Sequence, residues 1–254
     1  MILPKFRVLK SHGKQYIPDL NKVELTSEFR GRPVLSDDAD KESLEAAKRI
    51  CPTSAITTSP LTLDLGRCLF CGECARIAPK SIRFTNDYRI ASPTREGLII
   101  KVGQQSVPFD QSAVREEVRR IFKQALKLRE VSAGGEGSVE MELNATGNVN
   151  FDFCRYGVEF TASPRHADGV VISGPITKNM AEALQICWDA VAEPKLLMVC
   201  GSEACSGGLF SQSRAIDRSF LESHHVDLWI PGTPTHPMTY IDGVMNLLGR
   251  KRRE

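Results

Sequence analysis

No stretch of this 254-residue chain holds the eighteen or so consecutive apolar residues that cross a bilayer as a helix. Its opening, Met1-Ile-Leu-Pro-Lys-Phe-Arg7, lacks the apolar segment and small-residue cleavage site of a secretory signal. Both absences predict a cytoplasmic protein. Net charge is also scarce: 33 Lys and Arg against 31 Asp and Glu leave +2, which excludes the strong single-sign field of a nucleic-acid binder. Missing too are a phosphate-cradling Gly-rich loop, a dinucleotide fingerprint and a nucleophile–base pair, so the chain is not expected to be an enzyme alone.

What the chain does have is eight cysteines, three of them packed as Cys68-Leu-Phe-Cys71-Gly-Glu-Cys74. In a reducing compartment, thiolates at this spacing bind metal rather than pair as disulfides. The triplet lies on a tight loop that can wrap one corner of an iron–sulfur cube, with Gly72 letting the backbone come close. A fourth ligand must come from elsewhere. In two-cluster ferredoxins a C-x2-C-x2-C-x3-C-P run sends its last cysteine to the other cluster, and Cys51-Pro52 has the form of that last element. The segment Val34 to Lys41 offers no cysteine for a second cluster, and Ala78-Pro79 stands where a Cys-Pro would follow Cys74. One [4Fe-4S] cluster held by Cys51, Cys68, Cys71 and Cys74 is therefore expected. Zinc is the alternative, but zinc ribbons use two separated C-x2-C knuckles.

The length suits two domains. Residues 1–105, with short strand-like runs and turns, read as an α+β ferredoxin-like domain. Residues 106–130 read as a link, with an amphipathic helix over 111–124 carried by Val114, Val118, Ile121 and Phe122, and a first strand starting at Leu126. Residues 131–254 alternate apolar strands (169–173, 195–200, 226–230) with helices near 178–191 and 238–248, which predicts an α/β, flavodoxin-like, mostly parallel sheet. Gly- or Pro-rich loops follow the strands at Gly134, Gly174, Gly201 and Pro231, and should gather at the carboxyl edge of that sheet.

With Phe29-Arg-Gly-Arg-Pro33 ahead of its cysteines, the first domain resembles the ferredoxin-type subunit of formate hydrogenlyase and related membrane-bound [NiFe]-hydrogenases, akin to the two-cluster subunit of complex I. The second is similar to the small subunit of those complexes, the family that includes the 20 kDa subunit of complex I. That likeness is carried by Ser163 to Asp168, Gly174-Pro-Ile-Thr177, Pro194-Lys195, Cys205-Ser-Gly-Gly208 and Pro231-Gly-Thr-Pro234. The resemblance implies a fusion of neighbouring subunits. It further implies that the small-subunit half should hold its own cluster through four cysteines, where this chain has Glu136, Val139, Glu203 and Thr233. Carboxylates are poor iron–sulfur ligands and Val and Thr cannot replace thiolates, so this proximal cluster is expected to be lost.

Cys154, Cys200 and Cys205 could rescue that site only by rearrangement, since no two form a C-x2-C chelate; Cys187 and Cys200 read as buried apolar residues. Glu136 and Glu203 could bind a divalent metal or act as an acid–base pair, but are expected to be solvated or paired with Arg or Lys. His166, His224, His225 and His236 lack chelating spacing, and the tail Arg250-Lys-Arg-Arg253 reads as solvated. The resemblance implies an iron–sulfur electron-transfer subunit of a hydrogenase-like or NADH-quinone oxidoreductase-like complex. Its partners would be a large subunit, other complex subunits and a membrane arm, placing it peripherally on the cytoplasmic face of the inner membrane. The alternatives are a non-catalytic scaffold, assembly or regulatory subunit and, more distantly, a freestanding enzyme using Glu136 and Glu203.

Overall fold

Every residue of two strands in the second half, Gly169–Ser173 and Leu196–Cys200, is buried, as a parallel sheet covered on both faces requires. The computed structural model describes residues 3–13, 16–20, 22–38 and 40–250. The first part comprises α1 (Leu3–His12), β1 (Pro33–Leu35), α2 (Lys41–Ile50), β2 (Ile56–Thr58), β3 (Leu61–Asp64), α3 (Glu73–Ile77), β4 (Ile82–Phe84) and β5 (Ile99–Lys101). These strands form two small antiparallel sheets, β1-β4 and β2-β3-β5. After α4 (Glu116–Ile121) come β6 (Leu126–Ser132), α5 (Ser138–Ala145), β7 (Val158–Phe160), β8 (Gly169–Ser173), α6 (Lys178–Asp189) and β9 (Leu196–Cys200). The chain closes with α7 (Ser202–Ser206), α8 (Ser219–Ser223), β10 (Leu228–Ile230) and α9 (Pro237–Leu247).

The second half is a five-stranded sheet in the order β10-β9-β8-β6-β7, with every neighbouring pair parallel. All its strands therefore end on one edge. β6 lies inside this sheet, crossing the boundary drawn from the sequence at 130/131.

The helix expected over 111–124 is shorter. A 3-10 turn at Gln111–Ala113, capped by Asp110, precedes extended Val114 and Arg115, and α4 holds only six residues. The break has a cause in Arg115, whose guanidinium reaches both carboxylate oxygens of buried Asp227 at 2.7 and 3.0 Å and the Lys195 carbonyl at 2.6 Å. Those anchors, far along the chain, outweigh local helix preference.

The apolar core does not divide between the two halves. One group of packed buried residues runs from Leu35, Ile56 and Leu63 to Ile172, Val199 and Phe220; the other joins Leu20, Tyr88 and Ala91 to Leu128, Met198 and Val244. At the sheet edge, Ser92 and Trp229 exchange backbone hydrogen bonds of 3.0 and 2.8 Å, so β10 leaves no open ladder there. From residue 251 on, the basic tail lies outside the described residues.

Candidate functional site

Cys51 ends α2, a helix started by Asp40, whose carboxylate accepts the Glu42 and Ser43 amides; Pro52 prevents its continuation. Cys68 and Cys71 follow β3 on the loop entering α3, and Cys74 lies in the first turn of that helix. Asp64 shapes that loop. Its backbone carbonyl accepts the Cys68 amide at 3.0 Å, while its carboxylate accepts the Gly66 amide and a two-pronged pair of bonds from Arg95 at 2.8 and 2.7 Å. Burial works against the Arg95 charge, but the Asp64 bonds prevail and raise its pKa. Phe70 has φ 53°, an uncommon value for a non-glycine residue, and its carbonyl is held by Arg30 Nε. Gly72, φ 83°, allows the turn into α3 that a side chain would strain.

All four cysteines of the N-terminal part line one small cavity, walled by Pro52, Ala55, Leu63, Leu69 and Phe84. Cys68 and Cys74 are buried, Cys51 is half-buried and Cys71 is exposed. The Ala55 amide donates to Cys51 Sγ and the Phe70 amide to Cys68 Sγ, both at 3.3 Å. Burial pushes the Cys74 thiol up to about 11, and the neighbouring Cys71 adds to the shift. Burial likewise pushes Cys68 well up, with Cys74, Cys51 and Cys71 adding to it. Among the described residues no three His, Cys, Asp or Glu side chains are grouped closely enough to hold a metal ion as they stand.

The loops at the carboxyl edge of the sheet do meet: Glu136 bonds Val139, Val139 lies against Gly201, and Thr233 bonds Ser202, the neighbour of Glu203. Val139, buried in the first turn of α5, lies against Gly201: a Cβ there would stand 2.8 Å from Val139 Cγ2. Glu136 accepts the Val139 amide at 2.8 Å, acting as a cap for α5. Burial, then the neighbouring Glu136 and Glu140, raise the Glu203 carboxyl above its ordinary value, and its Oε2 is buried with no partner. Solvation or pairing with Arg or Lys is the setting expected for Glu136 and Glu203; among the described residues neither forms an ion pair, and both are half-buried. Thr233 Oγ1 donates to Ser202 Oγ at 2.7 Å, and Ser202 Oγ donates to the Cys68 carbonyl, also at 2.7 Å. Ser202 and the Asp64–Arg95 pair escaped sequence reasoning because no spacing marks them, and the role of Arg30, within the Phe29 to Pro33 segment, shows only in its bond to the Phe70 carbonyl.

The remaining candidates have structural settings. Cys200 and Cys205 are fully buried, burial pushing the first thiol well up and the second up to about 12; Cys187 is half-buried on α6 and Cys154 exposed. His236 Nδ1 accepts the Met238 amide at the start of α9, with burial lowering its pKa, and His224 packs on the Phe220 ring. His225 stands 3.8 Å from Asp227, and His166 closes a 3-10 turn.

Comparison with known proteins bears on the second half. Residues 137–247 match the family model of the NADH ubiquinone oxidoreductase 20 kDa subunit. The chain is 41% identical over 107 residues to an NADH-quinone oxidoreductase subunit of Desulfovibrio desulfuricans, an alignment covering 42% of this chain and 58% of that protein. It is 36% identical over 115 residues to the corresponding NADH-quinone oxidoreductase subunit of Geotalea daltonii, covering 44% and 67%. It is 38% identical over 111 residues to an F(420)H(2) dehydrogenase subunit of Methanosarcina mazei, covering 44% and 60%. The chain thus spans roughly three fifths to two thirds of these relatives, and its first hundred residues lie outside the family match.

Proposed function

Since residues 137–247 belong to the NADH ubiquinone oxidoreductase 20 kDa subunit family, we propose that the chain is an iron–sulfur electron-transfer subunit of a membrane-associated complex, hydrogenase-like or NADH-quinone oxidoreductase-like. In this reading the first part is a ferredoxin-like domain whose Cys51, Cys68, Cys71 and Cys74 hold one [4Fe-4S] cluster. The convergence of four thiols on one cavity carries the reading. Their chemistry fits the group: buried thiols that disfavour each other's ionised form are stable as thiolates beside a cationic core. Amide donors on two of the sulfurs also favour bound thiolate. When bound, the cluster supplies one-electron redox chemistry. The chain's own part is to keep water from the buried sulfurs with Leu63, Leu69 and Phe84 and to hold the loop through Asp64, Arg95 and Ser202.

The second domain serves as the docking domain for a large subunit and other complex subunits, without a cluster of its own. Val139 offers no donor, Thr233 directs its hydroxyl to Ser202, and Glu136 and Glu203 are hard oxygen donors that hold iron–sulfur cores poorly. Docking at this edge is supported by exposed Met141, Leu209 and Phe210, on the same segments as Val139 and Glu203. Among the described residues no helix is long and apolar enough to cross a membrane, which suits a peripheral subunit. Loss of all four proximal cysteines favours, as the second reading, a scaffold or regulatory subunit of such a complex.

The deciding measurement is iron and acid-labile sulfide per chain, with electron paramagnetic resonance after reduction, on protein purified anaerobically with its co-purifying subunits. About four irons per chain and one signal lost in Cys71→Ser support the proposal. Eight irons would place a second cluster in the chain, whereas zinc or no metal leaves the scaffold.

A further inference from the structure

The C-terminal turn of α4, the 3-10 turn Phe153–Tyr156 and the end of α9 enclose a cleft of about 580 Å³, on segments distinct from the cysteine cavity and the emptied site. Lys123, Arg155 and Arg250 line it, and among the described residues no Asp or Glu does. Among the described residues none of the three is in an ion pair. Arg250 donates to the Tyr156 and Phe122 carbonyls, and Arg155 donates to the Ile17 carbonyl while lying over the Tyr16 and Tyr156 rings. These partners position both guanidinium groups without supplying opposite charge. Burial lowers the Arg250 pKa, and among the described residues no carboxylate offsets it and its buried Nε has no partner. Arg119, whose hydrogen bonds go to Gln111, runs beside Gly249 and adds a further cation nearby.

A half-buried cation gains most from an anion that shares its desolvated setting. Three cations converging on one compact volume suit a single multiply charged group better than carboxylates spread along a peptide. We propose that this cleft is a binding site for a phosphate-bearing anion, either a soluble phosphate ester or the headgroup of an anionic phospholipid. The site does not depend on the presence of an iron–sulfur cluster.

Cys154 lines the same cleft with its thiol exposed, which provides a reporter. The test measures the alkylation rate of the Cys154 peptide by mass spectrometry on the full chain, titrated with inorganic pyrophosphate against sodium chloride at matched ionic strength. The expected result is a saturable, several-fold slowing with pyrophosphate alone, lost in Lys123→Glu, a change at an exposed residue. Arg155→Gln should weaken the protection in the same way. Equal effects of the two salts would reduce the cleft to general screening and overturn the proposal. Flotation with phosphatidic acid vesicles against phosphatidylcholine vesicles separates the sources: binding lost in Lys123→Glu identifies a headgroup site, and pyrophosphate protection without flotation a soluble ester. Stronger protection by polyglutamate than by pyrophosphate would overturn the phosphate assignment in favour of an acidic protein partner.

Discussion

The hydroxyl of Ser202 donates at 2.7 Å to the carbonyl of Cys68, 134 residues earlier, and accepts at 2.7 Å from the hydroxyl of Thr233. Two side chains at the carboxyl edge of the large sheet thus hold the loop that carries three cysteines of the N-terminal part. Ser202 is almost wholly buried, and its own amide is fixed to the Gly232 carbonyl at 3.0 Å. The turn at Thr233, where the resemblance in the sequence implies a cysteine, is tied to the cysteine loop through a chain of hydroxyls.

That relay has a direction, which predicts an order of effects. Ser202→Ala leaves the Cys68 carbonyl without this donor and the Thr233 hydroxyl without its acceptor, and should cost about 1 to 3 kcal/mol. Thr233→Val keeps the Ser202–Cys68 bond and should cost about 1 kcal/mol or less. Denaturant unfolding of the two variants checks the order; equal losses would contradict it.

Arg115 and Asp227 make the second long-range test. Asp227 is buried, and besides Arg115 it accepts the Leu197 amide at 2.9 Å. Arg115→Ala strands a buried carboxylate and should lower stability by about 3 kcal/mol. The double variant Arg115→Met, Asp227→Asn should lose less than the sum of the single changes, as a double-mutant cycle in urea would show.

Stability should also fall with rising pH on account of Glu130. Burial first, then the Glu140 carboxylate, raise its pKa from 4.5 to about 7, with Arg129 opposing. Glu140 moves the other way: despite its burial, the hydrogen bond it accepts from Ser132 Oγ at 2.6 Å helps to lower its pKa, so Glu130 is the member of the pair that keeps a proton. A folded-state pKa above the unfolded value means that the folded chain binds more protons, so the stabilisation is complete below 4.5 and is lost as pH rises through about 7. Glu130→Gln should flatten this part of the stability profile. An unchanged slope would show that another group sets it.

Replacing the cysteines should separate the two groups of thiols. Cys154→Ser, Cys200→Ala and Cys205→Ala should leave iron per chain unchanged, whereas Cys51→Ser should lower it. Iron analysis of purified variants decides, and loss of iron in any of the first three would relocate a ligand.

Much of the second half was legible in the sequence, because β8 and β9 are uninterrupted apolar runs and Gly174, Gly201 and Pro231 punctuate the strand ends. α5 and β7 were not. α5 begins immediately after three glycines and exposes Met141, which weakens its apolar stripe, and β7 is a three-residue edge strand with little pattern to display. The expected helix over 111–124 failed for a different reason, since the partners of Arg115 lie 80 and 112 residues away.

Residue identity alone determined that Glu136, Val139, Glu203 and Thr233 present no thiolate, and the spacing of Cys68, Cys71 and Cys74 put three thiols on one loop. These are local properties of the chain. Only the tertiary structure decided that Glu203 meets no cation among the described residues, that Glu136 caps a helix, and that Ser202 joins Thr233 to Cys68. It also decided that the core runs unbroken between the two halves. Such outcomes depend on which distant groups share a desolvated space, because a buried donor, acceptor or charge takes whatever partner the packing places within reach.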